Sequence, residues 1–203
     1  MKASIAILLY LFFLSAGFSQ DCNHNNLSDK YKIEIYTKWY GSLRHTLGDS
    51  LDITVIVTNK VSQIKQQINF GSSWMSDVAY SDCNNVRSYI TGVNKDGIAE
   101  DNDYGNIIVA DFNFDNKDDV AFKQNMGGNG GPPYIFYIQD DNGILVRDVF
   151  LTETMEYFPS EINAVNHKLV TLVHANAYSM GKTTYKYFTI TKKWKELSHT
   201  YVP

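Results

Sequence analysis

The stretch Asn106-Ile107-Ile108-Val109-Ala110-Asp111-Phe112-Asn113-Phe114-Asp115-Asn116-Lys117-Asp118-Asp119-Val120-Ala121-Phe122 decides the reading of this chain. Two short apolar, β-branched runs flank a nine-residue acidic loop, the pattern of strand, tight loop, strand. Oxygen-bearing side chains fall at loop positions 1, 3, 5 and 9, which are Asp111, Asn113, Asp115 and Asp119. The carbonyl of Lys117 occupies position 7, where a backbone oxygen serves in EF-hand loops. Calcium takes six to eight oxygens in a flexible geometry, and this alternation aims such a set inward. Asn116 stands where the full EF-hand has glycine, and it is the next best residue for a left-handed turn. Position 12 is Phe122 rather than a bidentate Glu, so this is a shorter, EF-hand-like loop that runs into a strand. Phe112 and Phe114 are expected to face the core. The bland alternative is a solvated acidic turn. A bound calcium is expected to be structural, since nothing nearby in sequence supplies an open position with a general base.

Outward from this loop the chain continues to read as strands. Tyr31 to Tyr40 and Leu51 to Thr58 alternate apolar and polar residues with period two. Further β-rich runs are Val86 to Val93, Tyr134 to Ile138, Ile144 to Phe150, Leu169 to His174 and Thr183 to Lys193. Turn signals stand at Gly48-Asp49, Lys95-Asp96-Gly97 and Asp141-Asn142-Gly143, the last a hairpin signal. Gln63 to Phe70 reads as a short helix, on the weak support of Ile64 and Ile68. The expected architecture is all-β, a propeller-like or sandwich arrangement of antiparallel strands in one domain over residues 21–203. No composition break or linker divides it.

The first twenty residues read as a secretory signal peptide: Lys2, an apolar run from Ile5 to Leu14, then small residues at Ser15, Ala16, Gly17 and Ser19. The run is shorter than the ~20 residues of a membrane span, which disfavours the alternative of a retained anchor. Cys22 is not preceded by a lipoprotein-type small-residue box. The expected product is periplasmic or secreted, with no transmembrane segment after cleavage. Export makes Cys22 and Cys83, the two cysteines of the chain, a candidate disulfide; two unrelated thiols are the alternative. Asn26-Leu27-Ser28 is a glycosylation sequon, relevant only in a eukaryotic route.

Of 203 residues, 18 are Lys or Arg and 22 Asp or Glu, for a net charge of -4; losing Lys2 leaves 17 against 22, or -5. That balance argues against nucleic acid as a partner. Apolar residues make up 44%, a globular composition. The five histidines (His24, His45, His167, His174 and His199) form no metal-ligating spacing, and no nucleophile elbow or Cys-x-x-Cys is present. No catalytic residue is assigned and the chain is not read as an enzyme; a hydrolase with a carboxylate pair is the less favoured alternative.

The second motif is Met126-Gly127-Gly128-Asn129-Gly130-Gly131-Pro132-Pro133-Tyr134. It lacks the Gly-Lys-Ser/Thr of a phosphate cradle. It reads either as a plain hairpin loop or as a protruding recognition loop with Tyr134 as an interface anchor. Alternation places Tyr137 on the opposite strand face from Tyr134. A rival surface for glycans is Trp39, Tyr40 and Trp74, read as sugar-stacking platforms.

The order of apolar strand, Asp-Phe-Asn-Phe-Asp-x-x-x-Asp loop, short strand, Gly-Asn-Gly-Gly stretch and Tyr134-Ile135-Phe136-Tyr137 resembles a family of exported bacterial proteins with a calcium-loop, β-propeller-like domain. Its members include periplasmic immunity proteins that neutralise lysozyme-like effectors of a secretion system, and they are akin to inhibitors of invertebrate-type lysozyme. The resemblance is concentrated in Asn106 to Phe150. It implies calcium at Asp111, Asn113, Asp115, Lys117 (carbonyl) and Asp119. It also implies that Gly127, Gly128, Asn129, Gly130, Gly131 and Tyr134 enter the cleft of a lysozyme-like peptidoglycan hydrolase, with Tyr134 leading. The family pattern has Gly after the third loop ligand and often Ser in the inhibitory loop, where this chain has Asn116 and Gly128.

Overall fold

The computed structural model describes residues 19–40, 50–73, 80 and 82–203. Residues 1–18 of the expected leader, together with Gly48-Asp49, His45 and Trp74, lie outside the described residues.

The described chain is all-β and forms three sheets. The first is antiparallel, in the order β1 (Ser19–His24), β2 (Tyr31–Tyr40), β3 (Ser50–Asn59), β4 (Lys65–Ser73). The second is mixed, in the order β5 (Val86–Ser88), β6 (Ile107–Ala110), β7 (Asp119–Lys123), β8 (Tyr134–Gln139), β9 (Leu145–Arg147), with β5 parallel to β6. The third is antiparallel, in the order β10 (Glu161–Asn163), β11 (Lys168–Asn176), β12 (Ser179–Phe188), β13 (Lys193–Val202). A single π-helical turn, Leu151–Met155, links the second and third sheets.

The second sheet is the middle of a sandwich, buried on both faces. Strand alternation sends Ile107, Val109, Val120 and Phe122 into a core shared with Ile33, Ile35, Ile53 and Val55 of the first sheet. The intervening residues Ile108, Ala110, Ala121 and Phe136 enter a second core with Leu151, Phe158, Leu169 and Tyr185. Burial on both faces is why β6 and β7 read as continuous apolar runs, while β2 and β3 alternate. No sheet among the described residues closes into a barrel, and the sandwich alternative describes the packing.

Three local readings change. Lys65 to Ser73 is a strand rather than part of a helix: Ile68 pairs with Val55 and faces the core, with Phe70 on the same side. The reason is tertiary, since β3 offers an unsatisfied edge that no local propensity reveals. Val86 to Val93 holds only a three-residue strand, because the chain turns at Ser88, whose amide bonds to the Val93 carbonyl at 2.8 Å. Thr183 to Lys193 is the end of one strand and the start of the next, divided by a turn at residues 189–192. The Asp141-Asn142-Gly143 hairpin stands as expected between β8 and β9, with Gly143 at φ 80°.

Cys22 and Cys83 are joined by a disulfide, with Cα atoms 5.3 Å apart and a sequence separation of 61. The bond ties β1 to the segment that leads into β5, and it fits an exported protein. Constraining a loop of this length in the unfolded chain is worth about 4 kcal/mol. Replacing both cysteines by serine should therefore lower unfolding free energy in urea by about 2–5 kcal/mol, and reductant should have no further effect on that variant. His24 is buried at the end of β1, and burial holds its pKa below the ordinary value. Its contribution is present above the unfolded pKa of about 6.5 and is lost as pH falls through the folded value. The urea midpoint of wild type should therefore drop relative to that of His24→Gln between pH 7.5 and pH 5; parallel midpoints over that range would refute the assignment.

Candidate functional site

The acidic loop leaves β6 and re-enters the middle sheet at β7. Its side chains satisfy its own backbone, as short polar side chains do in turns. The Asp111 carboxylate accepts the amides of Asp115 at 3.0 Å and Asn116 at 2.8 Å. Asn113 Oδ1 accepts from the Asp115 amide at 3.2 Å, and Asp115 Oδ1 accepts from the Lys117 amide at 3.0 Å. Two residues take left-handed backbone, Phe114 at φ 62° and Asn116 at φ 61°. Asn tolerates this region, whereas a bulky Phe there is strained and must be held by packing. The Phe114 ring stacks on His167 at 5.3 Å and lies 6.1 Å from Trp194, both from the third-sheet side of the fold. Phe112 is fully buried in the second core, as expected, while Phe114 is only partly buried.

Asp119 closes the loop. It is fully buried; its Oδ2 accepts from the Phe112 amide and its Oδ1 from the Gln139 amide, each at 2.9 Å. Burial pushes its carboxyl well above the usual range; these two hydrogen bonds pull it back, and the charges of Asp115 and Asp111 push it further up. Burial raises Asp111 in the same way, opposed by the backbone amides it accepts and reinforced by Asp115. Among the described residues no cationic side chain pairs with Asp119. Lys117 instead reaches outward to Asp115 at 3.3 Å and Asp141 at 2.8 Å.

No group of three or more His, Cys, Asp or Glu side chains among the described residues is assembled to hold a metal. The loop carries, without gathering them into such a group, the carboxylates of Asp111, Asp115 and Asp119, the amide oxygen of Asn113 and the Lys117 carbonyl. Hard oxygen donors of this kind suit calcium, and a buried carboxylate without a counter-ion is what such a cation would compensate. Asp118, which the spacing left unassigned, is buried too and accepts from Ser28 Oγ at 2.5 Å. That bond joins the loop to the turn before β2. No pattern local to the loop announces it, because the partner lies 90 residues away.

The glycine loop has an exposed tip, Met126 to Asn129, on a tightly packed base. A Cβ on Gly131 would lie 2.2 Å from the Asp101 carbonyl, and one on Gly130 would lie 2.9 Å from Val173. Asn102 Nδ2 clamps the base by donating to the carbonyls of Gly130 at 3.0 Å and Leu172 at 2.9 Å. Close backbone approach, not flexibility, is what these glycines provide. Beside the tip, Asp101, Gly128, Asn129 and His174 line a cleft of about 420 Å³.

Tyr134 is not at the tip. It is 0% exposed, and its hydroxyl accepts from the Tyr104 amide at 3.0 Å and donates to the Gly105 carbonyl at 3.1 Å. The first position of β8 faces the second core, so the ring packs against Phe136 and Phe158. This corrects the expectation that Tyr134 leads the loop into a partner. Tyr137 lies on the opposite face, against the first core, as alternation requires. Trp39 and Tyr40 likewise point to opposite faces of β2: Trp39 packs on the first core, and Tyr40 is exposed under the Lys38 ammonium. They form no shared stacking platform, and Trp74 lies outside the described residues.

A cleft of about 580 Å³ adjoins the acidic loop and is lined by Asp115, Lys117, Asp141, Arg147, Asp148 and Tyr187 among others. Its charges are of both signs and largely compensate one another. No helix among the described residues is long and apolar enough to cross a membrane.

Removing only the Tyr134 hydroxyl, as Tyr134→Phe, strands a buried amide and carbonyl and should cost about 1–3 kcal/mol in urea unfolding. Gly131→Ala should cost about 2 kcal/mol or more, since it combines φ 90° with a backbone clash. Gly128→Ala, whose Cβ meets nothing within 4 Å, should stay within about 0.5 kcal/mol of wild type.

No protein-family model matches the chain, and no curated protein matches it. Among solved structures, the chain is similar to one described as a Xanthomonas type IV secretion system related protein, at 15% identity and a TM-score of 0.54, covering 83% of this chain and 77% of that one. At that identity the likeness is one of fold: the three-sheet arrangement has a solved counterpart in a bacterial protein.

Proposed function

We propose that this is an exported protein whose acidic loop takes up one structural calcium ion and whose glycine loop blocks the cleft of a lysozyme-like peptidoglycan hydrolase, as an inhibitor or immunity protein. The observation that carries the reading is the glycine loop: an exposed tip held rigidly on a base with no room for a side chain. A preformed loop loses little ordering entropy on binding. The inserted element is the tip itself, Met126 to Asn129, while Gly130, Gly131 and Tyr134 form its root. Gly128 has open space where a side chain would stand, and Asn129 presents an exposed amide. Both suit the paired carboxylates of a glycoside hydrolase cleft. The net charge of -4 favours encounter with a basic enzyme. A solved fold counterpart related to a bacterial secretion system and a disulfide suited to export support the same setting.

The calcium would be held by Asp111, Asn113, Asp115, Lys117 (carbonyl) and Asp119. Its role is to compensate the crowded carboxylates and fix the β6–β7 connection. Because Asp119 also accepts from the β8 amide of Gln139, ion binding would stiffen the strand that carries the root of the glycine loop.

Two experiments test this. Chelator should lower the melting temperature of wild type and calcium should restore it, while Asp115→Ala responds to neither; an unchanged wild-type melt ends the calcium assignment. Gly128→Arg places a long side chain in open space and should leave the melting temperature unchanged. It should weaken inhibition of a sensitive lysozyme by about 100-fold. Equal inhibition by both proteins, or none by wild type against a panel of peptidoglycan hydrolases, removes the inhibitor reading.

A further inference from the structure

The inner face of the third sheet extends beyond the second core and is left uncovered at one end. There it forms a groove of about 420 Å³ between the segment after the π-helical turn and strands β11 to β13. This is the size of a small-ligand site. Its floor is lined by hydroxyl groups and an imidazole. Tyr185, Thr171 and Thr183 line it side by side. Thr183 Oγ1 lies 2.8 Å from His199 Nδ1, which fixes the ring on the neighbouring strand. Thr171 and Thr183 are buried, so these polar groups are built into the sheet. Gly181, beside them, would bring a Cβ within 3.3 Å of His199 Cε1; its lack of a side chain keeps the recess open.

Glu156 and Glu196 stand at the groove, and Tyr157 and Tyr201 supply aromatic surface. Tyr201 is 68% exposed, a large ring left in water. Glu156 has an unusual backbone for a non-glycine residue, φ 66° and ψ -51°. Two bonds hold it there: its amide donates to the Leu151 carbonyl at 2.9 Å, and its carbonyl accepts from the Tyr134 amide at 2.8 Å. Strain of this kind persists where surrounding structure imposes it, and it concentrates at ligand sites.

We propose that this groove binds a saccharide, with Tyr201 and Tyr157 stacking on sugar rings, Glu156 and Glu196 accepting from hydroxyls, and His199 and Tyr185 completing the set. The lining carries no Lys or Arg, so an anionic ligand finds no counter-charge there. A cationic side chain would use only the acceptors. The floor instead alternates groups that both donate and accept, which matches a ligand whose own groups are hydroxyls. The groove adjoins the cleft beside the glycine-loop tip, with His174 lining both, and Tyr157 stands against the root of that loop: its hydroxyl would lie 3.0 Å from a Cβ on Gly130. The proposal does not rest on hydrolase inhibition.

The test is amide-resolved NMR titration of the intact protein with tetrasaccharides of glucose and of N-acetylglucosamine, and separately with arginine methyl ester. Saccharide should shift resonances of β12 and β13 with a Kd below about 10 mM, a range typical of single-site sugar contacts of a few kcal/mol. Tyr201→Ala and Glu196→Gln should each weaken binding about 10-fold or more with unchanged melting temperature, since both side chains are exposed. Shifts from arginine alone would replace the saccharide by a cationic partner and overturn the proposal. So would the absence of shifts, or saccharide shifts that survive in Tyr201→Ala.

Discussion

A sheet buried on both faces has to satisfy the polar groups at its strand ends inside the protein, and Asp119 is where this chain meets that demand. Its carboxylate stands at the first position of β7 and accepts one amide from the acidic loop and one from β8. The same residue thus closes the loop and sets it against the neighbouring strand. The cost is a desolvated carboxylate beside two others. What stabilises or destabilises that carboxylate is felt across the middle sheet, because β7 and β8 carry both cores.

The glycine loop follows the same logic of enforced proximity. It lies between β7 and β8, and its base fills the space between the Asp101–Asn102 turn and the third sheet. Tyr134 anchors its far side by bonding across to Tyr104 and Gly105. Its neighbour Lys123, buried at the end of β7, pairs with Asp103 at 2.6 Å, so two buried polar anchors fix the same turn. Loop, turn and third sheet therefore form one rigid corner. The exposed tip and the groove on the third sheet both adjoin it.

Much of this was legible in residues that carry their reason locally. Alternation marked β2 and β3, unbroken apolar runs marked β6 and β7, and Asn142-Gly143 marked the β8–β9 hairpin. Cys22 and Cys83 were candidates for a bridge because no other cysteine exists. Ile64 and Ile68 misled, because a four-residue spacing is helical only when no strand edge claims the segment, and β3 does claim it. Tyr134 misled for a related reason. A tyrosine after Pro132-Pro133 looks like an interface anchor, but the strand parity that turns it inward is set by pairing with β7. β13 went unread as a separate strand, since the turn at residues 189–192 carries no Gly or Pro.

What the sequence determined by itself was the strand–loop–strand unit, the oxygen spacing of Asp111, Asn113, Asp115 and Asp119, and the all-β class. Each follows from side chains within one turn or one strand of each other, where period and propensity act directly. Tertiary structure alone decided which face of β8 turns inward, that Asp118 is held by Ser28 and that the glycines are spacers against Asp101 and Val173. It also decided that Tyr185, Thr183, His199, Glu156 and Glu196 meet in one groove. Those outcomes depend on partners tens of residues away, and only the registration of three sheets brings them within bonding distance.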